Sequence, residues 1–244
     1  MNIDHPSFSH IPQLRSLWKE AFGDTDAFLD HFYCVAFSPL RCMCVTKANE
    51  VLAAAYWFPC GEYAYIYAVA TAQQHRGKGI CHALMEKIHS VLMAEGYAGC
   101  VLVPGEESLR QFYRTMKYEN FGGVDEFDTI AGSPIQLRKL SLQEYATLRK
   151  EYLPQGGVLQ EGVNLEFLSR WAEFYEGENV LIAAAWEDGK LMILELLGEK
   201  NAAPGIVTTL GAKTGWFRSP GDKPFAMHRA LCENIAPKYF GFCF

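Results

Sequence analysis

The apolar positions along this chain change period in a definite order. At the start they fall at Ile11, Leu14, Leu17, Trp18 and Phe22, the spacing of an amphipathic helix, with Gly23 as its stop. Asp24 or Thr25 stands ready to cap a second helix over residues 27–37. Residues 41–46 read as a short strand, with Cys42 and Cys44 on one face. Residues 51–58 are apolar without a break, which predicts a strand buried on both sides. Pro59-Cys60-Gly61-Glu62 turns the chain into a strand that begins at Tyr63, with Tyr63, Tyr65 and Tyr67 sharing a face. After a short glycine-containing turn, Ile80, Leu84, Ile88 and Val91 return to helical spacing until Gly96. Residues 99–103 predict another strand, and Leu109, Phe112, Tyr113 and Met116 another helix.

The second half has its own punctuation. Ser141 with Glu144 makes a capping box that opens a helix carrying Leu142, Tyr145 and Leu148 inward. Residues 154–162 form a Pro/Gly-containing loop, and a helix is expected over 164–175. Strands at 179–186 and 190–197 flank Glu187-Asp188-Gly189, a hairpin signal. Pro204 suits the first turn of a helix reaching about residue 212. Residues 225–231 and 238–244 read as closing strands. Two helices, a hairpin and a helix thus occur twice, which places a domain division at 1–135 and 136–244.

The chemistry concentrates where the Tyr63 strand ends. Ala-Gln-Gln74-His75-Arg76-Gly77-Lys78-Gly79 leads into the helix at Ile80. A strand, a glycine turn and a helix aim free amide N–H groups at one point, and the helix dipole adds roughly half a positive charge there. Gly77 and Gly79 let a ligand approach the backbone, and Arg76 and Lys78 supply cations. A phosphate or diphosphate is the natural occupant. The spacing fits neither a P-loop, which needs Gly-x-x-x-x-Gly-Lys-Ser/Thr, nor a dinucleotide fingerprint, since the third glycine is missing. Another nucleotide phosphate remains open on the residues alone.

What does fit is Gln/Arg-x-x-Gly-x-Gly/Ala, and with it the chain resembles the GNAT family of acetyl-CoA-dependent N-acetyltransferases. The resemblance implies an α/β (α+β) fold with a mixed, mostly antiparallel sheet. It implies that Gln74, His75, Arg76, Gly77, Lys78, Gly79 and Ile80 hold the diphosphate of acetyl-CoA. It also implies that Val69 and Thr71, through their backbone, hold the pantetheine arm. The segment from Glu106 to Tyr118 resembles the family's Asn-x-x-Ala-x-x-x-Tyr-x-x-x-Gly-Phe. Tyr113 and the closing aromatic match, while Glu106, Leu109 and Lys117 stand where Asn, Ala and Gly are usual. The resemblance makes Tyr113 the catalytic residue, a phenol that can protonate a departing thiolate. The acceptor is expected to be a small-molecule or peptide amine. The acidic residues Asp125, Glu126 and Asp128 are either a solvated loop or a lure for that amine.

The second half then reads as a degenerate GNAT-like unit, because Gly198-Glu-Lys-Asn201 stands where the phosphate loop would be. The layout resembles tandem GNAT enzymes of the enhanced-intracellular-survival type, without their sterol-carrier-like C-terminal domain. Three candidates for the general base follow: Glu195 on the hairpin, the Phe244 carboxylate and a water chain.

Composition narrows the partners. The net charge of −6 over 244 residues argues against nucleic acid. No apolar run reaches the roughly 20 residues of a membrane span, and no leader is visible, so a cytoplasmic protein is expected. Eight scattered cysteines without a Cys-x-x-Cys pair predict no metal site and reduced thiols. Cys81 alone, in the first turn of a helix, has a position where a thiolate could be stabilised. A homo-oligomer is compatible with the sequence. The rival function is a non-catalytic acyl-CoA sensor or interaction module.

Overall fold

The structure, a computed structural model, describes residues 1–232 and 236–243. The chain forms two compact units, one of residues 1–119 and 228–235, the other of residues 120–227 and 236–244. The sequence reading put the division at residue 135 and gave each half a continuous stretch of chain.

In the first unit, β1 (Asn2–Asp4), β2 (Cys42–Lys47), β3 (Glu50–Cys60), β4 (Tyr63–Thr71) and β5 (Gly99–Leu102) lie side by side in that order. All neighbours are antiparallel except β4 and β5. Helix α1 (Ile11–Phe22) packs on β3 and β4. Trp18 presses on Tyr56 at 5.0 Å and on Phe32 at 4.6 Å, centroid to centroid. Helix α3 (Ile80–Ala94) packs on β2, β3 and β4, burying Leu84, Met85, Ile88 and Leu92. Residues 51–58 are buried throughout, as an unbroken apolar run between two helical layers should be. Between α1 and β2 the chain departs from the expected single helix. Helix α2 (Asp26–His31), capped by the Thr25 side chain, widens into a π-helical turn at Phe32–Ala36. Helix α4 (Glu107–Arg114) follows β5.

The second unit orders its strands β6 (Glu119–Ile130), β11 (Thr214–Pro220), β10 (Lys190–Gly198), β9 (Val180–Glu187), β8 (Glu173–Gly177) and β7 (Leu137–Leu140). Helix α5 (Leu142–Tyr152) starts at the expected capping box. Helix α6 (Val163–Leu168) is shorter than expected. Phe167, Trp171 and Phe174 have helical spacing, yet Phe174 lies on β8, where its ring stacks on Tyr145 at 4.1 Å and the backbone pairs with β7 and β9. Tertiary packing here overrides the local period. Helix α7 (Ala203–Thr209) has Pro204 in its first turn, as expected. Strand β12 (Lys223–Ala230) closes the chain's strands, its last residues counting with the first unit. The second expected closing strand is only an isolated bridge, Tyr239 to Gly157.

The acidic stretch is strand β6 rather than a loop. Asp125 pairs with Lys200, Glu126 with Arg218 and Lys223, and Asp128 with Lys190. Each carboxylate of this cluster already holds a cation, which removes the reading of it as an amine lure.

The two units repeat one construction. In each, an antiparallel hairpin (β3–β4, β9–β10) has its second strand joined in parallel to the strand after a helix (β5, β11). That parallel pairing is short in both. It spans Tyr63–Tyr65 against Gly99–Val101, and Leu191–Ile193 against Gly215–Phe217. Just beyond it, both hairpins carry a register shift.

Candidate active site

The site begins with the failure of β4 to stay paired. Its bonds to β5 stop at Tyr65, so its edge from Ile66 to Thr71 is left open on that side. Against β3 the register jumps from Tyr67 to Ala70 while β3 advances from Tyr56 only to Ala54. Ala68, in that jump, has φ +49°, a left-handed backbone rare for alanine. The bulge lies just past the last residue of β4 that pairs with β5, and from Ile66 on β4 has no partner on that side.

A cleft of about 460 Å³ lies there. Val69, Thr71, His75, Arg76, Gly77, Gly79, Ile80 and Tyr113 line it. Two expected members do not. Gln74 faces the other side of its loop, where its amide donates to Glu50 at 3.2 Å. Lys78 folds its ammonium back onto the Gln74 carbonyl at 2.8 Å, which tightens the loop from outside. Glu20 accepts from the Gln73 N–H at 2.6 Å, so two carboxylates of the opposite face pin the turn.

The turn itself is a cradle of donors. Gly77 and Gly79 have φ +73° and +75°, and Gly79 is the N-cap of α3. The first helical bond closes from the Ala83 N–H to the Gly79 carbonyl. The amides of Ile80, Cys81 and His82, in the first turn of α3, have no acceptor within the helix. An added Cβ at Gly77 or Gly79 would meet nothing within 4 Å, so the space in front of this backbone is open. Arg76 donates through Nε to the Thr71 carbonyl at 3.0 Å, tying the cradle to the end of β4. Free amides, a helix N-terminus and an arginine suit the diphosphate of an acyl carrier.

Tyr113 forms the opposite wall. It is 7% exposed, and its hydroxyl makes no hydrogen bond among the described residues. Burial, with a smaller contribution from Cys81, holds the phenol well above its ordinary value, so it stays protonated. Cys81 also lines the cleft, but burial pushes its thiol up to about 11. The thiolate that a helix N-terminus favours in solvent is therefore not formed near neutral pH.

Sequence reasoning missed Phe22 at the end of α1 and Glu106, Leu109 and Phe112 on and before α4, which complete the walls. Phe22 carried a signal, being a helix-end aromatic that remains 46% exposed. Lys117, which stands where the resemblance expects glycine, has φ +62°. The left-handed turn after α4 is thus kept, at a cost in backbone strain of about 1 kcal/mol.

Comparison with known proteins identifies a domain that covers about half of the chain. Residues 2–121 match the model of the Acetyltransferase (GNAT) domain. Residues 2–121 are a GNAT acetyltransferase domain. The protein is accordingly an acyltransferase, with acetyl-CoA as its acetyl donor. No curated protein matches the chain. Among solved structures it is similar in fold to a GCN5-related N-acetyltransferase from Kribbella flavida, at TM-score 0.71 and 18% identity over 94% of this chain and 72% of that one. Eis1 from Mycobacterium abscessus gives TM-score 0.72 at 13% identity, covering 95% and 74%. A putative acetyltransferase from Pyrococcus horikoshii gives 0.66 at 13%, covering 99% and 93%. Among the described residues, no cluster of three or more His, Cys, Asp or Glu is placed to hold a metal, and no helix is long and apolar enough to cross a membrane.

The corresponding opening in the second unit is filled by its own chain. Beyond the short β10–β11 pairing, Glu195 accepts from the Tyr239 hydroxyl at 3.1 Å, and Arg218 donates to the Gly241 carbonyl at 3.2 Å. Phe240 and Phe242 are buried beside them. Glu195 is 0% exposed and also takes bonds from Arg149 Nε at 2.7 Å, Arg149 Nη2 at 2.9 Å and the Tyr145 hydroxyl at 2.7 Å. Its assignment as a base is therefore corrected. The β10 bulge at residues 193–195 turns it inward, where four donors occupy its oxygens. Phe244, the other named candidate, lies outside the described residues.

Proposed function

We propose that this protein is an N-acetyltransferase that moves the acetyl group of acetyl-CoA to a primary amine by direct attack in a ternary complex. The observation that carries the reading is a single cleft joining the N-terminal amides of α3 to a buried, protonated, unbonded phenol. In this reading the amides of residues 77–82 and Arg76 grip the diphosphate. The open edge of β4 at Val69 and Thr71 holds the pantetheine arm, and its N–H groups polarise the thioester carbonyl. The amine lone pair attacks the carbonyl carbon and the C–S bond breaks. The Tyr113 O–H proton passes to the sulfur, so that a thiol leaves instead of a thiolate. The proton lost by the attacking nitrogen goes to water. The second unit, with its opening filled, holds no second carrier.

The test is a free-thiol assay with acetyl-CoA and a panel of a polyamine, an aminosugar, an arylalkylamine and a peptide with a free N-terminus. Tyr113→Phe should lower kcat about 100-fold with the best acceptor, within the usual range for losing a general acid, and leave CoA affinity unchanged. Full turnover in that variant would remove Tyr113 from the chemistry. CoA binding without turnover on any amine would favour a sensor.

A further inference from the structure

The helix that carries Tyr113 has little to hold it. Of the eight residues of α4, only Tyr113 is buried. Its orientation therefore depends on the turn that follows. There the Met116 and Tyr118 N–H groups both return to the Tyr113 carbonyl, at 2.9 and 3.2 Å, across the left-handed Lys117. The turn leaves the Met116 carbonyl free to accept from outside the helix, and Arg229 Nη1 donates to it at 3.1 Å.

Arg229 comes from more than 100 positions further along the chain, and it is anchored itself. Its Nη1 lies 2.6 Å from Glu86 Oε1 and 2.6 Å from His89 Nδ1. His89 is 2% exposed, and burial together with the Arg229 cation pushes its imidazole down to about 4. The ring is thus neutral, and the guanidinium, which can only donate, makes Nδ1 the acceptor. Nε2 then carries the proton and donates to the Tyr118 hydroxyl at 2.9 Å. That hydroxyl in turn donates to the Cys100 thiol on β5. The Tyr118 ring meets the Tyr113 ring edge-on, centroids 5.7 Å apart. Arg229 Nη1 is shared among the Met116 carbonyl, Glu86 and His89, and from His89 onward each donor has one acceptor, so that part of the relay runs in one direction, from His89 to Cys100.

We propose that Arg229 is a positioning residue. Through the Met116 carbonyl, and through His89 and Tyr118, it sets where the Tyr113 hydroxyl stands in the cleft. This rests on the reading of Tyr113 as the acid that protonates the leaving sulfur. Displacing a catalytic group by about 1 Å can cost up to about 100-fold in rate without touching substrate.

The experiment is a double-mutant cycle on the full chain, using acetyl-CoA and the best acceptor of the panel. Arg229→Gln should lower kcat about tenfold with KM for acetyl-CoA within about twofold of the parent. Arg229→Lys, which keeps the charge beside Glu86 but loses the fork, should recover part of that loss. In a Tyr113→Phe background, Arg229→Gln should cost no further kcat, because the group it positions is gone. Losses that multiply, or a loss confined to KM, would overturn the proposal. Hydrogen exchange gives a readout independent of turnover. Arg229→Gln should speed exchange of the amides of residues 113–118 and leave those of 84–92 unchanged. Equal exchange in both segments, or none, overturns it too. Full kcat in Tyr113→Phe alone would defeat the catalytic reading, while exchange still decides whether Arg229 holds the helix.

Discussion

Gly79→Ala separates the fold of the cradle from its use. An alanine at φ +75° bears left-handed strain of roughly 1–2 kcal/mol, offset in part by the lower chain entropy of its unfolded state. No atom lies within 4 Å of the added Cβ, so no clash adds to this. The net destabilisation should be about 1 kcal/mol, or about 2–4 °C in Tm for a chain of this size. Binding should suffer more. The methyl would stand in the open space where a diphosphate meets the amides, displacing one or two charge-assisted hydrogen bonds of about 1.5–3 kcal/mol each. A loss of about 3 kcal/mol is roughly a 100-fold rise in the Kd for CoA. Calorimetric titration with CoA, alongside thermal unfolding of the free protein, measures both quantities. A Kd within about threefold of the parent, with the expected fall in Tm, would show that the diphosphate does not sit against residue 79.

Four further outcomes follow from other parts of the structure. Glu195→Ala leaves the buried Arg149 cation without its partner and should cost about 3–5 kcal/mol in urea unfolding; a loss under about 1 kcal/mol would show that the network carries little. Lys117→Gly relieves the positive φ after α4 and should stabilise by about 0.5–1 kcal/mol, and a destabilised variant would refute the strain assignment. Because burial holds Tyr113 above its ordinary value of 10.0, kcat should show no descending limb up to pH 10, and a fall beginning near pH 8 would exclude it as the acid. The His89 imidazole is lowered from 6.5 to about 4 by burial, so below pH 6.5 the unfolded chain binds a proton that the folded one refuses. Stability should therefore fall as pH drops from 6.5 towards 4, and removing that step by His89→Gln would confirm its source.

How much of this was legible follows from the range of the forces involved. The cradle was legible because it is local: two glycines, a preceding strand and a following amphipathic helix are neighbours in sequence. That Gln74 turns out of the cleft was not, because Glu50, from a distant strand, holds its amide. The acidic run 125–128 reads as a solvated loop by composition alone. It is a strand because Lys190, Lys200, Arg218 and Lys223 come from elsewhere to neutralise it. Likewise Phe174 keeps a helical interval from Phe167, yet the empty edge of β9 recruits it into a strand.

By itself, then, the order of residues determined the elements around the cleft and the amide donors at the start of α3. All of these depend on contacts within a few positions of one another. Only the folded chain decided that β4 bulges at Ala68, that Glu195 is buried and held by four donors, and that Arg229 reaches back to the helix of Tyr113. These depend on pairings between residues tens to more than a hundred positions apart. No local pattern of apolar and polar residues records who will meet across such a distance.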